Sequence, residues 1–321
     1  LAAKTGLFKR SALRRAGPDS TWLRRAMLMM RCVRDGPGAV DWARVARSAG
    51  DGPFELLVVG HGLAKAQPIC AERAMRAALY GAPQESLVTR WNALVGLQSV
   101  LVAEGRYGEV RRLLDWGADS VHVAARSLQI VDAVAGVGTD SGAAKGIAML
   151  GPPDVEHRRV SPDYLWWFGL WAWYRHDADG LGRILTVAAD SLRVGRADGI
   201  DTLIHHALAA RLAILQADTA RALALLSALS VRGTAGAIGW EWLSPLAEEW
   251  LLFAQLLLAK ERYAEALAVA GVFDASQPMA YAMYLPRSLE VRIRAAEALG
   301  RGALARRLRE RLSNLRQGPG E

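Results

Sequence analysis

The chain has 321 residues, is 52% hydrophobic and carries a formal net charge of +8. That is ample for a large core, yet no stretch reaches the ~18 uninterrupted apolar residues of a membrane span. The nearest, LWWFGLWAWY at 165–174, is too short and closes on Arg175 and His176. Leucine and alanine abound and β-branched runs are few, which favours helix. LAAKTGLFKR has no apolar core of the kind a signal peptide needs.

The charge is unevenly placed. Residues 1–34 hold nine basic and one acidic residue, and residues 285–316 hold nine arginines and three glutamates. Between them, residues 35–284 are acidic on balance. Two basic ends of this kind fit an anionic partner such as nucleic acid. They also fit arginine-rich solvated helix faces, because arginine outnumbers lysine 35 to 5. The first residue is Leu1 and not Met, as expected of a piece of a longer protein. Cys32 and Cys70 have no metal-ligand spacing and fit buried thiols in a reducing cytoplasm.

Residues 1–19 read as a basic linker, ended by Ala-Gly-Pro-Asp before a cap at Ser20 or Thr21. Helices then come in pairs. The pattern predicts 20–34 with 38–48, 52–65 with 68–80, and 84–104 with 107–118. The fourth pair, 119–135 with 140–150, is weakened by Gly136, Gly138, Gly142 and Gly146. Gly151-Pro152-Pro153 breaks the chain. The pairs 162–176 with 178–193 and 200–216 with 218–230 follow, then a glycine-rich loop at 232–239. The last two pairs are 244–260 with 263–273 and 285–299 with 301–315, and 317–321 reads as a disordered tail.

Residues 247–278, AEEWLLFAQLLLAKERYAEALAVAGVFDASQP, carry the clearest unit. Trp250, Phe253 and Leu257 recur at helical spacing, Ala254 and Ala266 are small where helices cross, and Pro278 ends the unit. The turn Lys260-Glu261-Arg262-Tyr263 reproduces Glu104-Gly105-Arg106-Tyr107. This unit resembles a tetratricopeptide repeat (TPR) of about 34 residues. Such units cannot bury their apolar faces alone, so the resemblance implies an all-α, right-handed superhelical solenoid of about eight degenerate TPR-like pairs over 20–316.

The run LLLAKERYAEALAVAGVFD, followed by YLPRSLEVRIRAAEALGRGALARRLRERL, also resembles the helical C-terminal regions of bacterial transcriptional activators of the antibiotic-regulator type and of some serine/threonine kinases. There an effector domain lies N-terminal to the repeats. The resemblance implies a cytoplasmic module of a signalling regulator that meets nucleic acid only through that other domain.

No catalytic motif is present. Ala135–Lys145 is glycine-rich, but it lacks the Walker spacing and no strand precedes it, so it reads as an inter-helix loop. The histidines are His61, His122, His157, His176, His205 and His206. None lies in HExxH or beside a cysteine pair. His205 and His206 are expected to point about 100° apart, one to the core and one to the surface. GxSxG, HRD and DFG are missing. The expectation is a non-enzymatic scaffold with no cofactor and no metal.

Two aromatic groups stand out. On 164–174, Trp167, Trp171 and Tyr174 form one stripe, and Trp166 with Trp173 forms its neighbour. Trp240 and Trp242 follow the glycine loop. The first helix of each pair is expected to line a concave groove, with Trp167, Trp171, Tyr174, Arg211, Glu248 and Gln255 gripping a protein or peptide segment or a small ligand. The alternative is an anionic partner, nucleic acid included, on the basic terminal helices.

Overall fold

The computed structural model describes residues 21–48, 52–82, 86–150, 162–191, 199–229, 246–275 and 281–316. The expected linker 1–19, the glycine loop, Trp240, Trp242, Pro278 and the tail lie outside the described residues. Among those described there are sixteen α-helices and no strand, so the chain is all-α. It divides into two compact units, residues 1–97 and 98–321.

The first unit holds α1 (Thr21–Asp35), α2 (Trp42–Ala46), α3 (Gly52–Leu63) and α4 (Pro68–Gly81). Pro68 opens α4, where its missing N–H costs nothing. The expected helix 38–48 is shorter. Gly36, at φ 90°, leads into a 3-10 turn over Pro37–Ala39, and Asp41 then caps α2 by accepting from the Arg44 N–H at 2.9 Å. The core lies between α3 and α4, where Leu56, Leu57, Val59, Met75 and Leu79 are buried. A Cβ on Gly60 would sit 2.7 Å from Met75 Cε, so glycine is what lets these two helices close together.

Cys32 and Cys70 correct the expectation of free thiols. They form a disulfide that ties α1 to α4 across a separation of 38 residues. A buried salt-bridge end, Glu55 on α3, accepts from Arg24 on α1 at 2.6 Å.

Helix α5 (Leu87–Ala103) carries residues of both units. The second unit continues with α6 (Tyr107–Ser120), α7 (Leu128–Val134), α8 (Asp140–Leu150), α9 (Pro162–Tyr174) and α10 (Ala178–Ser191). Then come α11 (Gly199–Leu215), α12 (Thr219–Ala228), α13 (Leu246–Ala259), α14 (Tyr263–Ala270), α15 (Tyr281–Ala298) and α16 (Gly302–Arg316). The expected helix 119–135 is broken: a 3-10 segment, Val123–Ser127, precedes the short α7. Helix α15 begins four residues before its expected start and carries Pro286 inside it, at the loss of one backbone hydrogen bond.

The same turn joins the helices of each pair in this unit. Its middle residue is Gly105, Gly136, His176, Ala217, Glu261 or Gly300, each with φ between 54° and 77°. The next N–H reaches back five residues in every case: Arg106 to the Leu101 carbonyl, Val137 to Asp132, Asp177 to Ala172, Asp218 to Ala213, Arg262 to Leu257, and Arg301 to Ala296. This is the Schellman ending, which satisfies carbonyls that a helix end leaves open. Asp177 and Asp218 then cap the following helix by accepting from Gly180 and Arg221 N–H groups. The resemblance between the turns at 104–107 and 260–263 is therefore a shared backbone geometry, and it extends to four further turns.

Packing follows these pairs. Helix α7 packs on α8, α9 on α10, α11 on α12, α13 on α14 and α15 on α16. First helices also meet first helices, α7 with α9, α9 with α11 and α13 with α15. Ala210, Ala254 and Ala266 are fully buried, as their small size at crossings requires. Trp250 and Tyr263 are half-buried; Trp250 covers a cluster of Ala210, Leu226, Leu229 and Leu246.

Candidate functional site

The first helices of the six pairs bring polar and aromatic side chains to one buried centre. From α11, Arg211 is 0% exposed. Its Nη2 lies 2.5 Å from Glu249 Oε1 and 3.2 Å from Glu248 Oε2, both on α13. Two indoles of α9 flank the guanidinium, with Trp166 at 5.6 Å and Trp173 at 5.3 Å from its carbon. A buried cation so placed gains attraction from both ring faces. From α5, Gln98 donates to Asp132 on α7 at 2.7 Å, with both side chains buried. Tyr284 of α15 is buried between these groups and feels the carboxylates of Glu248, Glu249 and Asp132.

Electrostatics at this centre follow from burial and from one cation facing two carboxylates. Burial works against the Arg211 charge, but Glu249 and Glu248 outweigh it and raise the guanidinium pKa further. Burial pushes Glu249 up to about 7, against the pull of Arg211, and Glu248 adds to the rise. Burial likewise pushes Asp132 up to about 7, opposed by the hydrogen bond from Gln98. Tyr284 is raised well above its ordinary value, first by burial and then by the nearby carboxylates. Arg211 Nη1 and Glu249 Oε2 are buried with no hydrogen-bond partner among the described residues.

The expected groove residues therefore separate. Arg211 offers no surface, since its charge is spent inside on Glu249 and Glu248. Trp167 is buried, and Trp171, Tyr174 and Glu248 are half-buried. Trp171 stacks on Tyr174 at 5.9 Å, Arg175 lies over Trp171 at 5.8 Å, and the Tyr174 hydroxyl donates to Asp140. Trp166 and Trp173, the neighbouring stripe, are the pair that meets Arg211. His205 and His206 are both half-buried, contrary to the expected split, with rings 6.1 Å apart.

Gln255, by contrast, lines an open groove. The groove measures about 590 Å³ and runs between α13, α15 and α16. Leu258, Val291 and Ile293 form its apolar floor, and Arg287, Arg294 and Arg309 with Glu290 form its rim. Sequence reading missed these rim residues because no local pattern links α13 to α16. The only available signal was the arginine excess of 285–316.

Much of that excess is neutralised internally. Asp274 takes Arg292 at 2.9 Å and Arg311, Glu290 takes Arg316, and Glu297 takes Arg309. Burial would raise the Asp274 carboxyl, but the hydrogen bonds from Arg292 and Arg311 hold it below its ordinary range. Arg287 donates to the Ala135 carbonyl at 2.9 Å. Arg294, Arg301, Arg306 and Arg307 stay exposed and form no salt bridge to a described residue.

The glycine-rich stretch 135–145 is the α7–α8 turn and the opening of α8, where Thr139 accepts from the Gly142 N–H. No group of three or more His, Cys, Asp or Glu among the described residues could hold a metal ion, and no described helix is long and apolar enough to cross a membrane. Comparison with protein-family models, with curated proteins and with solved structures gives no match.

Proposed function

We propose that the chain is a non-catalytic binding module, a solenoid of degenerate TPR-like pairs, that takes an acidic and partly apolar protein segment in the groove beside Gln255. One observation carries this reading: an apolar floor whose rim holds Arg294, exposed and in no salt bridge to a described residue, beside Arg287, Arg309 and the neutral Gln255. Arginine forks match carboxylates in pairs of hydrogen bonds, and the floor rewards an apolar neighbour of the acidic residue. This reading joins two expectations that the sequence holds apart as alternatives, a groove on the first helices and an anionic partner of the basic terminal helices. As the resemblance to bacterial activators and kinases implies, the module serves a larger regulator.

The test is a fluorescence titration of the chain with a labelled peptide in which Asp and Glu alternate with Leu and Phe. Arg294→Glu with Arg309→Glu should weaken binding at least tenfold. Arg306→Glu with Arg307→Glu changes the net charge equally on exposed positions outside the groove and should change affinity less than twofold. Equal losses from both pairs would leave only bulk charge attraction and end the groove reading. A single-stranded oligonucleotide that binds more tightly than the peptide, with a steep salt dependence, would favour nucleic acid instead.

A further inference from the structure

The first unit holds a second groove that the reading above does not use. It measures about 580 Å³ and lies between α1, α2 and the start of α3. Met27, Leu28 and Met30 of α1 and Val45 of α2 supply its apolar wall, with Glu55 also lining it. Arg24, Arg31 and Arg34 of α1 and Arg44 of α2 line the same groove. Met27 is 57% exposed and Met30 41% exposed, although both are large apolar side chains.

The charge at this groove is one-sided. Arg24 is engaged by Glu55 and Arg34 by its neighbour Asp35. Arg31 and Arg44 are exposed and form no salt bridge to a described residue. The occupant must therefore bring carboxylates to the rim and apolar groups to the methionines. Unbranched methionines adapt to different apolar shapes, which suits a surface that receives side chains from another molecule.

The walls also decide the backbone of the occupant. Interior helical N–H and C=O groups are bonded within their own helix, so α1 has no free main-chain ladder for an extended peptide. An extended strand lying on Met27 and Met30 would leave its own N–H groups against methyl and thioether groups, which is costly. A helix satisfies its backbone internally and presents apolar residues at i, i+3 and i+4 with acidic ones beside them. From these observations we infer that the α1–α2 groove docks an acidic amphipathic helix of a partner protein.

The test uses the full chain and a labelled 20-residue peptide amide. The peptide places leucine at i, i+3, i+4 and i+7 and glutamate or alanine elsewhere. A scrambled peptide of the same composition is the control. The proposal expects saturable binding of the amphipathic peptide, at least tenfold tighter than of the scrambled one. Arg31→Glu with Arg44→Glu should weaken binding at least tenfold, and Met27→Ser with Met30→Ser at least fivefold. Both variants are to be checked for unchanged circular dichroism and an intact Cys32–Cys70 bond. The titration is repeated in the Arg294→Glu, Arg309→Glu background, which removes the groove beside Gln255; saturable binding that persists there and is lost in the first-unit variants belongs to the α1–α2 groove and separates the two readings. Absence of saturable binding, equal binding of the scrambled peptide, or full binding by either first-unit variant overturns the proposal. So does tighter binding to phosphatidylglycerol vesicles or to an oligonucleotide with loss in the arginine variant alone, since the face would then serve a lipid surface or nucleic acid.

Discussion

Arg211 and Glu249 face each other across 2.5 Å with neither side chain exposed to solvent. They come from α11 and α13, 38 residues apart. Buried ion pairs are weak net contributors when intact, yet removing one partner strands a charge in the interior. Arg211→Met should therefore lower unfolding free energy by about 3–5 kcal/mol. Adding Glu249→Leu to the same chain should restore most of that loss. Urea unfolding of the parent, the single and the double variant decides it; a double variant worse than the single one would mean the pair is a net source of stability.

Asp132 predicts an unusual pH dependence. Its folded pKa, about 7, lies above the ordinary 3.8, so the folded state binds more protons in that interval. Its contribution to stability is then full below about pH 4 and is lost as pH rises to 7. Asp132→Asn keeps an oxygen for Gln98 and removes the charge. It should stabilise the chain by about 2–4 kcal/mol at pH 8 and by almost nothing at pH 4. Glu249 works in the same direction, and His61, held at about 3 by burial, works in the opposite one. The comparison must therefore be variant against parent at each pH. A gain that does not change between pH 4 and pH 8 would refute the assignment.

Gly169 sets how closely α9 approaches α11. A Cβ built there meets Leu208 Cδ2 at 2.4 Å, and Leu208 is fully buried. Gly169→Ala should cost about 1–3 kcal/mol despite the better helix propensity of alanine. Adding Leu208→Ala should recover part of this if the clash is the cause. A thermal melt of Gly169→Ala that matches the parent would contradict the close contact.

The disulfide gives the fourth prediction. Replacing Cys32 and Cys70 by serine should lower stability by about 2–4 kcal/mol, through loss of a cross-link over 38 residues. Alkylation of the denatured, unreduced chain followed by mass spectrometry should find no free thiol. Two alkylated cysteines would remove the bond and restore the buried-thiol reading.

How much of this was legible beforehand depends on the range of the interaction. Helix pairs could be read because Pro68, the turn at 104–107 and the turn at 260–263 act within a few residues. The breaks at 176–178 and 216–218 are legible as well, but the positive φ that non-glycine residues, His176 and Ala217, adopt there is not. Cys32–Cys70 and Arg211–Glu249 join residues 38 apart, a distance over which no periodicity informs. Gln255 is expected at a groove on helix-face grounds, and it lies beside the cleft between α13, α15 and α16. Arg211 lies on a first helix as well, but the same reading could not foresee that Glu249 would draw it inward.

The hydrogen bond from Arg287 to the Ala135 carbonyl spans 152 positions of the chain. An open stack of repeats behaves as a row of nearest neighbours, so an end unit can fray or be trimmed while the rest stays folded. Here the last first-helix returns to the second pair of the same unit and, through Tyr284, reaches the field of Asp132. Removing 281–316 would uncover polar groups near the start of the unit as well as at its end. The second unit should accordingly melt as one cooperative block, and lose its far end and its near end together.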